Sequence, residues 1–142
     1  MIKNLAADRP ILGAGFNPWY PETYILYGEG AMDDDDMGLA AHSIYLSPLA
    51  EHGYVGLAMF VSILAVAYRT GSQVIRRCRA RSDLLWLQDL MKAVQVGMVA
   101  YCVGGMFHQL AYFDLPWQMM SITAIGWVIS GRERTPEAAL KA

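Results

Sequence analysis

Three histidines carry the acid–base potential of this chain: His42, His52 and His108. Imidazole titrates near neutral pH, so it can take a proton from an attacking hydroxyl. His42 stands in Ala41-His42-Ser43-Ile44-Tyr45-Leu46, just ahead of the first long apolar stretch, and is the candidate general base. Glu51, close to the same depth, can orient a histidine or accept hydrogen bonds from sugar hydroxyls. The alternative for both is an interfacial polar residue that marks a helix start. Arg9 precedes Gly13-Ala14-Gly15. A guanidinium pairs bidentately with phosphate oxygens, and the N–H groups of a glycine-containing turn can approach an anion, although G-x-G alone is a weak motif.

Metal chemistry has little to work with. Glu51 and His52 are neighbours, and on a helix adjacent side chains point about 100° apart, which suits chelation poorly. Asp33 to Asp36 is an acidic run without the alternating ligands and closing Glu of a calcium loop, so it reads as a solvated loop tip. Cys78 and Cys102 have no metal-ligand spacing and read as two free thiols. There is no Walker motif, nucleophile elbow, zinc signature or nucleic-acid motif. No metal, cofactor or nucleic-acid partner is expected.

The elements that position these residues are apolar helices. Charged residues make up 17% of the 142 residues, against roughly 25% in an average soluble domain. Mean hydropathy is +0.26. Residues 1–47 are rich in Gly, Pro and Tyr and read as a long irregular loop with a short helix at the start. Three apolar stretches follow, at about 49–68, 90–112 and 116–130, each expected to be a membrane-crossing helix. Ser47 and Pro48 supply a cap and a first helical residue for the first. Gly53 and Gly56 leave one face slim for a neighbouring helix. Asp114-Leu115-Pro116 separates the second stretch from the third. His108, deep in the second stretch beside Gln109, is expected to be packed and hydrogen-bonded between helices.

Charge sets the orientation. Segment 69–92 holds six of the eleven Lys and Arg, and the tail 132–142 holds three. Basic loops stay in the cytoplasm, so the 69–89 loop and the tail face inward, and 1–47 faces outward. Trp19, Tyr20, Tyr45, Tyr54, Tyr112, Trp117 and Trp127 fall near the proposed interfaces. The fold class is therefore all-α, a polytopic membrane protein with three spans after an irregular periplasmic loop. A first segment that looks exported yet follows no apolar signal region is expected to belong to a longer protein.

Several stretches together carry a family likeness. Arg9-Pro10-Ile11-Leu12-Gly13-Ala14-Gly15-Phe16, Ala41-His42-Ser43-Ile44-Tyr45 and Leu49-Ala50-Glu51-His52-Gly53-Tyr54-Val55-Gly56-Leu57 resemble the O-antigen ligase and polymerase superfamily. The likeness is closest to its exosortase-associated O-glycosylation ligase branch. Gly104-Gly105 and Ala111-Tyr112-Phe113-Asp114-Leu115-Pro116-Trp117 are similar to the last two spans of that branch. The resemblance covers nearly the whole chain and the C-terminal third or so of a full-length member. It implies a multi-pass protein of the bacterial inner membrane. It further implies transfer of a glycan from undecaprenyl diphosphate to an acceptor lipid, protein or sugar at the periplasmic face, without a nucleotide sugar or metal. His42 corresponds to the proposed base. Arg9, Ser43, Tyr45 and Glu51 become the substrate-binding candidates, with the N-terminal spans of the same protein completing the donor cavity. This stretch alone is then expected to be inactive. The competing expectations are a polymerase that extends one repeat and a non-enzymatic three-span accessory protein.

Overall fold

The computed structural model describes residues 1–16, 18, 20–28, 42–108 and 110–131. Trp19, Gln109, the Asp33–Asp36 run and the basic tail lie outside the described residues. Among the described residues the chain is all-helical. Five α-helices follow in order: α1 (Ile2–Asp8), α2 (Pro21–Tyr27), α3 (Leu46–Cys78), α4 (Leu85–Gly104) and α5 (Asp114–Gly131). Short 3-10 turns precede α4 and follow it, at Ser82–Leu84 and Gly105–Phe107. Two helical segments are long and apolar enough to cross a membrane, Leu46–Cys78 and Ser82–Phe107. Only 28% of the apolar window of each is buried within the chain, where the core helix of a soluble protein would be mostly covered. α5 has 18 residues, but Asp114, Gln118, Ser121 and Thr123 dilute its apolar character.

Three boundaries differ from the sequence reading, each for a local reason. α3 starts before Ser47 because Ser43 is the capping residue. The Tyr45 N–H donates to Ser43 Oγ at 3.3 Å, and the Ser47 N–H and Oγ both donate to the Ser43 carbonyl, each at 3.2 Å. The expected basic loop 69–89 is largely helical, since α3 continues to Cys78 and α4 begins at Leu85. Arginine is a good helix former, and Arg76 and Arg77 complement the negative end of the α3 dipole. The second break comes before Asp114 rather than at it, because Asp114 and Pro116 lie in the first turn of α5, where a carboxylate and a missing N–H are both tolerated.

α3 is two helices joined at Gly53, whose φ of 65° and ψ of −163° only glycine adopts readily. The second part, from Tyr54 to Cys78, measures about 37 Å at 1.5 Å per residue, enough for a hydrocarbon core of roughly 30 Å.

The chain divides into two compact units. The first combines Met1–Ile63 with Ala100–Phe113. Its core holds Leu5, Ala6, Ile44, Ala50, Phe60, Tyr101 and Ala111. α1 and α2 are pinned there by Asn4 Nδ2 donating to the Tyr27 carbonyl at 3.2 Å and by Tyr27 OH donating to Asp8 at 2.7 Å.

The second unit combines Leu64–Val99 with the segment from Asp114 onward. α5 buries Pro116, Met119, Thr123, Gly126 and Ser130, an alternating three- and four-residue stripe. Small residues let side chains approach: a Cβ on Gly126 would lie 3.2 Å from Met91 Sδ, and one on Gly97 would lie 3.1 Å from Met119 Sδ. Gln95 joins α4 to α3 by donating to the Tyr68 carbonyl at 3.0 Å and Ser72 Oγ at 2.7 Å. Such side-chain bonds hold helices together where burial of apolar surface gives no drive.

Candidate functional site

All five predicted site residues belong to the first unit. His42 is exposed, at the residue before the Ser43 cap. Ser43 is buried, and its hydroxyl and carbonyl are committed to the α3 start. Segment 43–45 is stapled to the end of α4. The Ile44 N–H donates to the Gly105 carbonyl at 2.8 Å, and Tyr45 OH donates to the Cys102 carbonyl at 3.0 Å. These carbonyls lie in the last turn of α4 and its 3-10 extension, where regular helical pairing runs out, and the Gly105 carbonyl also accepts from the His108 N–H at 3.5 Å. Gly105 is required by this approach, because a Cβ there would lie 2.6 Å from Ile44 Cδ1 and 2.7 Å from Ile44 Cγ2. Tyr45 is therefore tied to the protein backbone, and the staple fixes the backbone next to His42.

The Gly13-Ala14-Gly15 turn is not an anion cradle. Its N–H groups donate inside the fold: Gly13 to the Arg9 carbonyl at 3.1 Å, Ala14 to the Ala50 carbonyl at 2.9 Å, and Gly15 to the Glu51 carbonyl at 2.9 Å. Tyr54 N–H donates to the Pro10 carbonyl at 2.8 Å across the same crossing. The turn thus caps the broken end of the first α3 segment, whose carbonyls lost their helical partners at Gly53. Arg9 is exposed beside α2 and forms no ion pair among the described residues. It acts on Tyr27: the hydrogen bond to Asp8 pushes the Tyr27 phenol above its ordinary value, and Arg9 opposes that shift.

Glu51 is the buried charge-bearing group among the described residues of the unit, 5% exposed. Tyr112 OH donates a hydrogen bond to its carboxylate, and His52 Nε2 lies 3.8 Å from the same oxygen. Glu51 and His52 keep helical backbone angles, so their approach comes from the reach of the two side chains and not from the break at Gly53. The His52 ring meets Phe16 edge-on, with centroids 4.6 Å apart. Gly56 leaves room for it, since a Cβ there would overlap His52 Cβ at 2.1 Å. The Glu-x-Gly-x-x-Gly spacing thus has a local cause: Gly53 makes the break, and Gly56 clears the histidine.

His108 is not packed between helices. It is exposed, in extended conformation at the end of the 3-10 turn, and its Nδ1 lies 3.2 Å from the Gly104 carbonyl. The helix ends at Gly104-Gly105, before reaching it. Tyr112 and Tyr101 were not singled out as site residues from the sequence. Tyr101 OH donates to the Leu110 carbonyl at 2.8 Å, which holds the loop that carries Tyr112. Both contacts depend on how the chain returns upon itself, and no local spacing encodes them. Among the described residues no cluster of His, Cys, Asp and Glu is arranged to hold a metal.

The unit offers an exposed imidazole on a stapled segment, an exposed guanidinium and a buried carboxylate held by a tyrosine. Comparison with known proteins adds no identity: no family model, curated protein or solved structure matches this chain.

Proposed function

We propose that this chain is the C-terminal membrane part of an O-antigen ligase-like glycan transferase of the bacterial inner membrane, with α3, α4 and α5 as three spans. The arginines at the end of α3 and in the turn after it, Arg76, Arg77, Arg79 and Arg81, argue for a cytoplasmic face there, and His42 then stands on the periplasmic side. The donor is a glycan on undecaprenyl diphosphate, and the acceptor is a hydroxyl of a lipid, protein or sugar. His42 takes the acceptor proton as its oxygen bonds to the anomeric carbon and the bond to the diphosphate breaks. Cations such as Arg9 stabilise the charge of the leaving diphosphate. Ser43 and Tyr45 act here as supports of the backbone beside His42, and Glu51 as the acceptor that holds Tyr112. Further spans of the same protein complete the donor cavity.

The observation that carries this reading is the exposure of His42 immediately before a segment stapled by Ile44 and Tyr45 to the end of α4. A base must be accessible to its substrate and held in register, and this arrangement supplies both. The test is His42→Ala within the whole transferase, followed by the glycan product on the acceptor. Loss of transfer with normal insertion is the expected result, and normal transfer removes His42 as the base. The same product separates the ligase from a polymerase: one block on a foreign acceptor against a ladder of repeats.

A further inference from the structure

The second unit carries four arginines that the proposed reaction does not use. Arg69, Arg76, Arg77 and Arg79 are exposed and form no ion pair among the described residues. Arg81 is different, paired with Asp83 at 3.0 Å. Arg69 and Arg76 are seven residues apart on one helix, so they share a face. Arg77 is held in place: its guanidinium carbon lies 3.4 Å from the centre of the Trp127 ring. Stacking uses the flat face of the guanidinium and leaves its N–H edge free to meet an oxygen anion. That edge has no hydrogen-bond partner among the described residues.

We propose that the last turn of α3, with Arg77 seated on Trp127, binds the phosphate of an anionic phospholipid at the membrane surface. Arg76 and Arg79 supply further charge beside it. The indole marks the depth, because tryptophan sits at the headgroup level of a bilayer. The charge marks the ligand, because like charges crowded on one turn repel until an anion joins them. A zwitterionic headgroup brings no net charge to the site. This inference rests on the membrane reading, but not on the glycan transfer.

The experiment uses the purified full chain in detergent, with bound lipid counted by native mass spectrometry. Phosphatidylglycerol and phosphatidylcholine of the same acyl chains are the probes. Phosphatidylglycerol is expected to be retained where phosphatidylcholine is stripped. Arg76→Gln with Arg79→Gln should weaken its binding by about fivefold per charge removed. Trp127→Leu should weaken it while leaving every charge in place. Lys92→Gln, at a lysine already paired with Asp89, should leave it unchanged. Equal retention of both lipids, or an undiminished preference in the arginine double variant, overturns the proposal. Displacement of the lipid by inorganic phosphate alone also overturns it, in favour of a free-anion site. Release of the chain from membranes by alkaline carbonate would sink the membrane reading together with this one. Firm insertion without lipid preference sinks only this one.

Discussion

Gly13 and Gly53 cross each other with no room for a side chain on either. A Cβ on Gly13 would lie 2.6 Å from the Gly53 nitrogen, and one on Gly53 would lie 2.5 Å from the Pro10 carbonyl oxygen. Both residues have a φ of 65°. The atoms in the way are backbone, so they cannot step aside as a flexible side chain would. Gly53→Ala should therefore destabilise the first unit by about 3 kcal/mol or more, from strain and clash together. Gly15→Ala is the control, because its φ is 88° but nothing lies within 4 Å. It should cost only about 1 kcal/mol of strain. Thermal unfolding in detergent compares the two, and equal losses would contradict the crossing.

The Glu51–Tyr112 hydrogen bond should couple two segments distant in sequence. Removing the hydroxyl with Tyr112→Phe leaves a buried carboxylate short of a donor, at a cost of about 1.5–3 kcal/mol. Glu51→Gln keeps the shape and loses the charge. In a double-mutant cycle the two losses should not add, with a coupling energy of about 1 kcal/mol or more. Additive losses would show that the bond contributes nothing to stability.

Gly105 and Ile44 should behave as a matched pair. Gly105→Ala drives a methyl into Ile44, with an expected loss of about 1–3 kcal/mol from overpacking. Ile44→Ala alone opens a cavity in the core and costs about 2–5 kcal/mol. Combined, the new methyl partly fills that cavity, so the double variant should be more stable than the sum of the two losses. A strictly additive result would mean that the staple is looser than the geometry requires.

The Tyr27–Asp8 hydrogen bond sets an alkaline limit on the α1–α2 contact. The folded phenol is raised above its ordinary value by its bond to Asp8. Its contribution is therefore complete below the unfolded tyrosine value near 10 and is lost as pH rises through the folded value. Difference titration of tyrosinate absorbance between the chain and Tyr27→Phe should isolate one late-ionising phenol. An ordinary titration at that position would remove the contact as a stabilising element.

The helical class, the apolar stretches and the charge asymmetry were legible from residue types alone. Leu49 to Tyr68 and most of Leu90 to Tyr112 announce buried or lipid-facing helices because burial follows side-chain type. Arg69, Arg76, Arg77 and Arg79 mark the polar end of α3 for the same reason. Helix ends were harder. Ser43 took the role expected of Ser47, and Gly104-Gly105 stopped α4 before His108, because a cap depends on which turn of backbone closes first. On spacing alone the Gly13-Ala14-Gly15 turn could present its N–H groups to an anion, a weak signal, and its donors close instead on Arg9, Ala50 and Glu51. Local spacing showed that these N–H groups could be presented, and gave no sign of which acceptor would reach them.

What the sequence by itself determined is the solvent each segment prefers, since transfer between water and an apolar medium depends on composition along the chain. The tertiary structure alone decided which polar groups meet: Tyr112 with Glu51, Tyr45 with Cys102, and Arg77 with Trp127. Each pair joins residues far apart in the chain. Their partnership is set by how the helices return past one another, which periodicity within a helix does not encode.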